Sequence, residues 1–197
     1  MPKDVAAKQG TSARERIIEA AYAVAERSGV AALTLDAVAA EAGVSKGGLL
    51  YHFPSKEALL SGMLDRLCGT CGDLAAAAAQ ADPEPVGRSA RAYLAACAGD
   101  LWRSSRWMAL VGALVFNPKL LAAWRADVLA GRAADQQEGV DPAAAEIVRL
   151  AADGMWVWGV LGLPGPDREL KAKVLARLNQ LTLGDQRRGQ EEIHGTG

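Results

Sequence analysis

Segments in which hydrophobic residues recur every three or four positions fill most of this chain, and short polar segments rich in proline, glycine, serine or aspartate separate them. This spacing places the hydrophobic side chains on one face of an α-helix, whereas a half-buried strand would alternate hydrophobic and polar residues. Two such faces are Ile17, Ala20, Ala21 and Val24, and Leu59, Leu60, Met63, Leu64 and Leu67. Alanine and leucine, which favour helices, dominate the hydrophobic residues. The pattern predicts an all-α fold.

Residues that begin and end helices divide this pattern into elements. Ser12 and Glu15 have the spacing of a capping box, and Asn117 and Asp141 each precede a proline that can occupy the first helical position. The prolines within 82–85 stop the fourth helix. Nine helices are predicted, at about 12–28, two within 34–53, then 55–81, 86–102, 105–116, 117–137, 141–161 and 167–183.

The segment 34–57 predicts two short helices joined by a tight turn. Thr34 can cap the first helix, Gly43 can take the left-handed conformation that ends it, and Ser45 can cap the second. Leu33 with Val38, and Val44 with Leu49, are spaced to staple these two caps hydrophobically. This is the pattern of a helix-turn-helix, whose second helix, the recognition helix, enters the major groove of DNA.

The recognition helix begins with Lys46, Gly47 and Gly48. Two glycines expose peptide N–H groups and allow close approach to DNA, so Lys46 is the only long side chain at the front of the helix and its natural target is a guanine edge. The alternative is that Lys46 is a solvated surface charge. Tyr51, His52 and Lys56 follow as a phenol, an imidazole and an ammonium that can position phosphates, although His52 can equally be a packed ring.

Two stretches resemble the amino-terminal domain of the TetR family of bacterial repressors. They are Arg16-Ile-Ile-Glu-Ala-Ala and Val44-Ser-Lys-Gly-Gly-Leu-Leu-Tyr-His-Phe-Pro-Ser-Lys-Glu-Ala-Leu. Leu121-Ala-Ala-Trp-Arg and Leu150-Ala-Ala-Asp-Gly-Met-Trp resemble the carboxy-terminal domain of its multidrug-responsive efflux repressors. The resemblance implies a TetR-type arrangement of the nine helices, with phosphate contacts from Thr34, Tyr51 and Lys56. Gly47 and Gly48 depart from the pattern of many family members and reduce side-chain contacts to bases. The specificity for a DNA sequence would therefore depend on DNA shape or on the amino-terminal arm.

Charge and cysteine content narrow the functional classes. The net charge is −1, and residues 1–60 hold as many acidic as basic side chains, so phosphate contacts must come from a local arrangement of donors. Three cysteines are an odd number, which argues against a disulfide framework and fits a reducing cytoplasm. Cys68 and Cys71 lack a second Cys or His pair for zinc, so no metal and no cofactor are expected. The absence of a long apolar run predicts a cytoplasmic protein without a membrane partner.

The region after the helix-turn-helix is larger than DNA binding requires, and it contains all five tryptophans. Large aromatic and methionine side chains among many alanines leave room for an apolar cavity, although such residues are also ordinary core residues. The candidate effector-binding residues are Trp102, Met108, Trp124, Met155 and Trp156, and the resemblance favours Trp124 and Trp156. Asp153 lies in an apolar stretch, where it can bond to a neighbouring helix or offer charge to a cationic ligand.

The last two helices predict a dimer surface. Leu170, Val174, Leu178 and Leu181 form a stripe at helical spacing, and Ala151 and Gly154 are small enough to let backbones approach. A single recognition helix covers few bases, so a two-fold dimer that binds a palindrome is expected. The resemblance implies that these helices from two subunits form a four-helix bundle.

We therefore predict a flexible arm at 1–11, a DNA-binding domain at 12–55, an effector-binding and dimerisation domain at 56–184 and a disordered tail at 185–197. The predicted function is that of a homodimeric repressor which binds double-stranded operator DNA and is released by a small apolar effector, cationic and drug-like in one version of the hypothesis. A redox-sensing regulator that uses Cys68 and Cys71, and an activator on the same fold, are alternatives. An enzyme is not expected, because no group of residues has catalytic spacing.

Overall fold

The computed structural model of the protein describes residues 12–99 and 105–183, and these described residues contain nine α-helices, one 3-10 helix at Val30–Ala32 and no strand. The helices are α1 (Ala13–Ser28), α2 (Leu35–Ala42), α3 (Lys46–His52), α4 (Lys56–Ala81), α5 (Arg88–Ala98), α6 (Ser105–Phe116), α7 (Pro118–Gln137), α8 (Pro142–Val160) and α9 (Arg168–Leu181). The all-α prediction is confirmed. The predicted arm and tail lie outside the described residues.

The chain divides after Leu64 into two compact units, and the first contains α1, α2, α3 and the beginning of α4. Tyr22 on α1 is fully buried and donates its hydroxyl to the Met63 carbonyl on α4, at 2.5 Å. Gly62 lies against Phe53 so closely that a Cβ atom there would come within 2.7 Å of the ring. These contacts fix α1 and α4 around one small core that supports the helix-turn-helix.

The second unit is centred on α5, which packs most extensively on α8 and also contacts α7, while α9 packs on α8. Its interior holds a buried ion pair between Arg149 of α8 and Asp135 of α7. Arg149 also donates to the Gly131 carbonyl at 2.9 Å. A buried charge is costly unless it is paired and hydrogen-bonded, so this pair fixes the position of α8 relative to α7.

Two predicted helix limits are wrong. The helix predicted to begin at about 86 begins at Arg88, because Gly87 has a left-handed φ of 69° and lies so close to Thr182 that a Cβ would approach its carbonyl oxygen to 2.5 Å. This helix, α5, ends at Ala98, and its predicted end at 102 lies outside the described residues. The last helix ends at Leu181 rather than at 183, since the Thr182 hydroxyl donates to the Asn179 carbonyl at 2.9 Å and leaves the helical conformation. The first of these limits depends on a contact with the end of α9, and the second on a hydrogen bond within α9.

The domain limits 12–55 and 56–184 stay a prediction, because α4 runs continuously from Lys56 to Ala81 and contributes residues to both compact units. None of the helices in the described ranges combines the length and the apolar character that a membrane span requires.

Candidate DNA-binding surface and ligand cavity

Caps on both sides of a glycine turn define the helix-turn-helix. The Thr34 hydroxyl accepts from the Ala37 N–H at 3.2 Å, and the Ser45 hydroxyl accepts from the Gly48 N–H at 3.1 Å. Between them Gly43 takes a left-handed conformation with φ of 64°, which ends α2 and redirects the chain into α3. Leu49 is fully buried, so one face of α3 is held against the core and the opposite face is left in solvent.

Lys46, the first residue of α3, lies at the surface and pairs with Asp36 of α2, Nζ to Oδ1 at 2.9 Å. The side chains are 61% and 69% exposed, so this ion pair contributes at most about 1 kcal/mol in water. A weak pair of this kind holds the Lys46 ammonium near the start of the helix. The ammonium can exchange the Asp36 carboxylate for another acceptor.

Gly47 and Gly48 occupy the next two positions and differ in their surroundings. A Cβ added to Gly47 would have no described neighbouring atom within 4 Å, whereas one added to Gly48 would lie 3.2 Å from the Ser45 hydroxyl that caps the helix. The chain itself therefore has room for a side chain at Gly47. Its glycine leaves the first turn of α3 bare toward solvent.

Tyr51 and His52 lie at the other end of α3, and Lys56 begins α4. Tyr51 is 86% exposed, and its ring meets the half-buried His52 ring edge-on, with 5.1 Å between centroids. The Lys56 ammonium donates to the Ala31 carbonyl at 3.3 Å, which brings it back to the segment before α2. Thr34, Ser45 and Tyr51 are exposed, and together with Lys46 and Lys56 they supply hydroxyl and ammonium donors in the first unit. This donor set suits a phosphate backbone.

A cavity of about 630 Å³ lies among α4, α5, α6, α7 and α8 in the second unit. Its aromatic walls are Tyr93, Trp107, Trp124 and Trp156. The Trp156 ring lies 5.2 Å from that of Trp124 and 6.4 Å from that of Trp107, centroid to centroid. Gly72 and several alanines of α4 also line the cavity, so its walls combine aromatic and small side chains.

The predicted effector residues fall in different places. Trp124 and Trp156 line the cavity, Met155 lines a separate groove beside α9, and Met108 is 47% exposed on α6. Trp102 lies outside the described residues. Sequence reasoning missed Tyr93, which is turned into the cavity only by the packing of α5 against α8.

Most polar groups at the cavity walls have hydrogen-bond or ion-pair partners within the protein. Asp153 accepts from the Tyr93 hydroxyl at 2.5 Å and from the Trp156 indole N–H at 3.0 Å, so the structural role considered for Asp153 is confirmed. Burial is the main reason why the pKa of Tyr93 is raised, and Tyr93 therefore stays a neutral donor. The charge of Arg149 is offset by Asp135. Asp127, which is exposed at the cavity wall, is the lining residue left to contribute negative charge.

The three cysteines lie in different environments. Cys68 and Cys71 of α4 line the tryptophan-lined cavity and are half-buried, whereas Cys97 of α5 is buried and borders the separate groove beside α9. Burial and the nearby Asp127 raise the pKa of Cys68 to about 11. The neighbouring Cys97 thiol lowers the pKa of Cys71, although burial opposes this shift.

The α8 and α9 helices present an exposed apolar face. Large side chains on it are Ile147, Leu150, Trp158, Leu161 and Leu170, each at least half exposed. Gly154 lies within this stripe, and Ala151 and Val174 are half-buried beside it. Leu181 is half-buried, but Leu178 is buried inside the chain itself, where it belongs to the core of the second unit.

Comparison with known proteins covers both units. Residues 17–63 match the family described as bacterial regulatory proteins, tetR family, and residues 87–183 match the tetracyclin repressor-like C-terminal domain. The crystal structure of the multidrug binding protein EbrR complexed with imidazole is 33% identical, with a TM-score of 0.58, and the alignment covers 84% of this chain and 88% of EbrR. The EbrR structure with ethidium aligns with the same TM-score at 27% identity, over 86% of this chain and 99% of that one.

Two curated regulators are similar over shorter stretches. The HTH-type transcriptional regulator TtgR of Pseudomonas putida is 37% identical over 81 residues, which are 41% of this chain and 39% of TtgR. The HTH-type transcriptional regulator YerO of Bacillus subtilis is 47% identical over 47 residues, 24% of this chain and 16% of YerO. The matches thus span well under half the length of these curated relatives.

Proposed function

Because this chain belongs to the TetR family of transcriptional regulators, DNA-binding proteins that are not enzymes, we propose that it is a homodimeric repressor whose affinity for a palindromic operator falls when an aromatic cation binds in the second unit. The observation that carries the proposal is the tryptophan-lined cavity, in the same chain as a helix-turn-helix with an exposed recognition face. DNA contacts are assigned to Thr34, Ser45, Lys46, Gly47, Gly48, Tyr51, His52 and Lys56.

The cavity chemistry supports a flat, positively charged ligand. Trp124 and Trp156 line the cavity, and aromatic rings attract cations through their quadrupoles. Asp127 adds a carboxylate at the wall. EbrR, which is similar over most of this chain, is named as a multidrug binding protein and was crystallised with ethidium. Ethidium, a planar aromatic cation, is therefore the first probe to use.

The exposed stripe on α8 and α9 supports the homodimer. Contiguous exposed apolar surface on a globular protein marks an interaction site, and a two-fold axis through this face would bury Leu150, Trp158 and Leu170 in one interface. Gly154 leaves space for close approach, since a Cβ there would have no described neighbouring atom within 4 Å. Ala151, Val174 and Leu181 complete the proposed interface at its edges.

Release of DNA would follow from a preference of the ligand for one conformation. Six residues of α4 line the cavity, and the beginning of the same helix belongs to the helix-turn-helix unit, so a shift of α4 changes both. Moving the equilibrium from 1:99 to 99:1 takes about 5.5 kcal/mol of differential binding. An effector that binds both conformations equally would leave the affinity for DNA unchanged.

The test is a competition between ligand and DNA. An operator is first selected from random double-stranded DNA, and its affinity is then measured by fluorescence anisotropy with and without a saturating planar cation, with ligand binding measured separately on the DNA-free protein. Ethidium also binds DNA, so a cation that does not bind DNA is run beside it. Cations that bind the protein yet leave operator affinity unchanged across a panel would refute the repressor mechanism.

The ligand site is tested by paired substitutions. We expect Asp127→Asn to weaken ethidium binding to the DNA-free protein about threefold, because an exposed carboxylate near a cation contributes up to about 1 kcal/mol. Trp124→Ala should weaken it about tenfold or more, because it removes both ring contact and a cation–π partner. Asp73→Asn, an exposed aspartate on α4 away from the cavity lining, is the control. Equal effects at Asp73 and Asp127 would contradict the site.

The substitution that tests the proposed dimer face also has a closely matched control. Leu150 on α8 is 59% exposed and Leu129 on α7 is 57% exposed, so replacing either with arginine perturbs the monomer to a similar extent. Sedimentation equilibrium should find that Leu150→Arg shifts the protein toward monomer while Leu129→Arg leaves the dimer intact. A dimer that survives Leu150→Arg but not Leu129→Arg would place the interface on α7.

A further inference from the structure

The start of the recognition helix carries a carboxylate beside its ammonium. The Nζ atom of Lys46 lies 2.9 Å from Oδ1 and 3.1 Å from Oδ2 of Asp36, so both carboxylate oxygens share the ammonium. Lys46 is the first residue of α3, and Asp36 lies in the first turn of α2. In helix-turn-helix proteins the N-terminal residues of the second helix contact base edges, so this ion pair brings Asp36 to the same edge.

Both charged groups keep hydrogen-bonding capacity toward solvent. An ammonium has three N–H donors and a carboxylate has about four acceptor sites, and their mutual pair uses only part of each. More than half of each side chain is exposed. Gly47 follows Lys46 and has no side chain that could cover either group. The pair therefore presents a donor and an acceptor side by side at the start of α3.

We propose that Asp36 is a second base-specific contact, which accepts from the amino group of a cytosine while Lys46 donates to the guanine paired with it. In the major groove a G·C pair presents N7 and O6 of guanine as acceptors and N4 of cytosine as a donor. Guanine O6 and cytosine N4 are hydrogen-bonded to each other at about 3 Å, close to the 2.9 Å between Nζ and Oδ1. The inference rests on the proposed contact of Lys46 with DNA and names the base pair that this contact would select.

The carboxylate would contribute to discrimination rather than to affinity. Where a G·C pair presents the cytosine amino group, an A·T pair presents the O4 acceptor and the methyl group of thymine. Asp36 would face that acceptor without a hydrogen bond, which is unfavourable for a desolvated carboxylate. The phosphates of every sequence also repel it. Removing the carboxylate should therefore weaken the preference for G·C and leave the affinity for random DNA unchanged or higher.

Two simpler roles for Asp36 predict different results. A carboxylate in the first turn stabilises a helix through the helix dipole, and loss of that stability would change the affinity for all sequences by the same factor. A carboxylate that only positions Lys46 acts through it, so its removal would have no further effect once Lys46 is replaced. Direct base contact predicts that Asp36 contributes to discrimination even without Lys46.

The experiment measures the affinity of the effector-free protein for its selected operator by fluorescence anisotropy, with each base pair in turn at every symmetric position. The position of interest is the one at which Lys46→Ala reduces the preference, and it should be a G·C pair. There we expect Asp36→Ala to lower the preference for G·C over A·T about fivefold or more, because a good bidentate base contact contributes about five- to 150-fold. In the Lys46→Ala protein, Asp36→Ala should lower the remaining preference further.

Glu41→Ala is the matched control. Glu41 is the other acidic residue of α2, and it forms an ion pair of similar length, 2.8 Å, with Arg27 of α1. Its replacement removes the same charge from the same helix but leaves the start of α3 unchanged, so the preference for G·C should persist. Three results would overturn the proposal: equal losses in the two single variants, an equal change in affinity for all sequences in Asp36→Ala, or no further loss in the Lys46→Ala protein.

Failure of this inference is distinguishable from failure of the proposed function. A parent protein that prefers no sequence over random DNA would refute operator binding itself. A parent protein that prefers its operator, with a preference that Asp36→Ala does not change, would refute only the base contact of Asp36. Because no effector is present, release by a ligand is tested separately.

Discussion

Replacing Gly47 with alanine separates the contribution of this residue to folding from its contribution to DNA binding. Gly47 is exposed and helical, and a Cβ there would have no described neighbouring atom within 4 Å, so the folded chain can accept a methyl group without strain. Alanine in a compatible helical position stabilises a protein by about 0.4–1 kcal/mol, chiefly by restricting the unfolded chain. Because Gly47 lies in the first turn, we expect a gain near the lower end of that range.

The effect on DNA should have the opposite sign. If bare backbone at Gly47 is needed for close approach, an added methyl group would disturb at least one hydrogen bond to a charged phosphate, worth about 1.5–3 kcal/mol, and affinity should fall at least tenfold. Urea unfolding followed by circular dichroism measures the first effect, and anisotropy with labelled operator measures the second. The matched control is Gly48→Ala, whose Cβ would lie 3.2 Å from the capping Ser45 hydroxyl and should lose the stability gain. A Gly47→Ala protein that is more stable and binds operator as tightly as the parent would refute this reasoning.

Other substitutions test the remaining contacts. Lys46→Ala should reduce discrimination between operator and random DNA, whereas Lys56→Ala should weaken binding to all sequences about equally. Lys56→Ala should also lower the slope of the logarithm of DNA affinity against the logarithm of salt concentration by about one. Anisotropy at several salt concentrations measures both effects. Arg149→Met should cost about 3–5 kcal/mol in urea unfolding because it leaves Asp135 buried without its cation, and a loss below about 1 kcal/mol would show that the pair is not buried in solution. Tyr22→Phe should cost about 1 kcal/mol through loss of one buried hydrogen bond, and an unchanged urea midpoint would contradict that bond.

Helix starts could be predicted from the sequence because caps are local. Each cap residue accepts a hydrogen bond from a backbone N–H two or three residues ahead, as Ser12, Thr34, Ser45, Asn117 and Asp141 do. The residues that predict a cap are therefore the same few residues that form it. The left-handed turn at Gly43 is equally local. These features, together with helical spacing, account for the correct fold class.

Contacts between distant segments could not be predicted in this way. Arg91 is buried and donates to Asp82 at 2.6 Å and to the Thr182 carbonyl at 3.0 Å, yet nothing near it in sequence distinguishes it from a surface arginine. Tyr93 and Cys71 line one cavity although they lie on different helices, α5 and α4. Sequence composition indicated a cavity rich in tryptophan, and its actual walls required the structure.

The α4 wall of the cavity has a consequence for how relatives of this protein could diverge. Its lining there includes Gly72, Ala75, Ala76 and Ala79, and a Cβ at Gly72 would have no described neighbouring atom within 4 Å. Larger side chains at such positions would occupy ligand space without disturbing buried packing, so single substitutions could reshape the set of accepted molecules at little cost in folding stability. The alanine-rich stretch, the least informative part of the sequence, is thus where new ligand preferences could arise most readily.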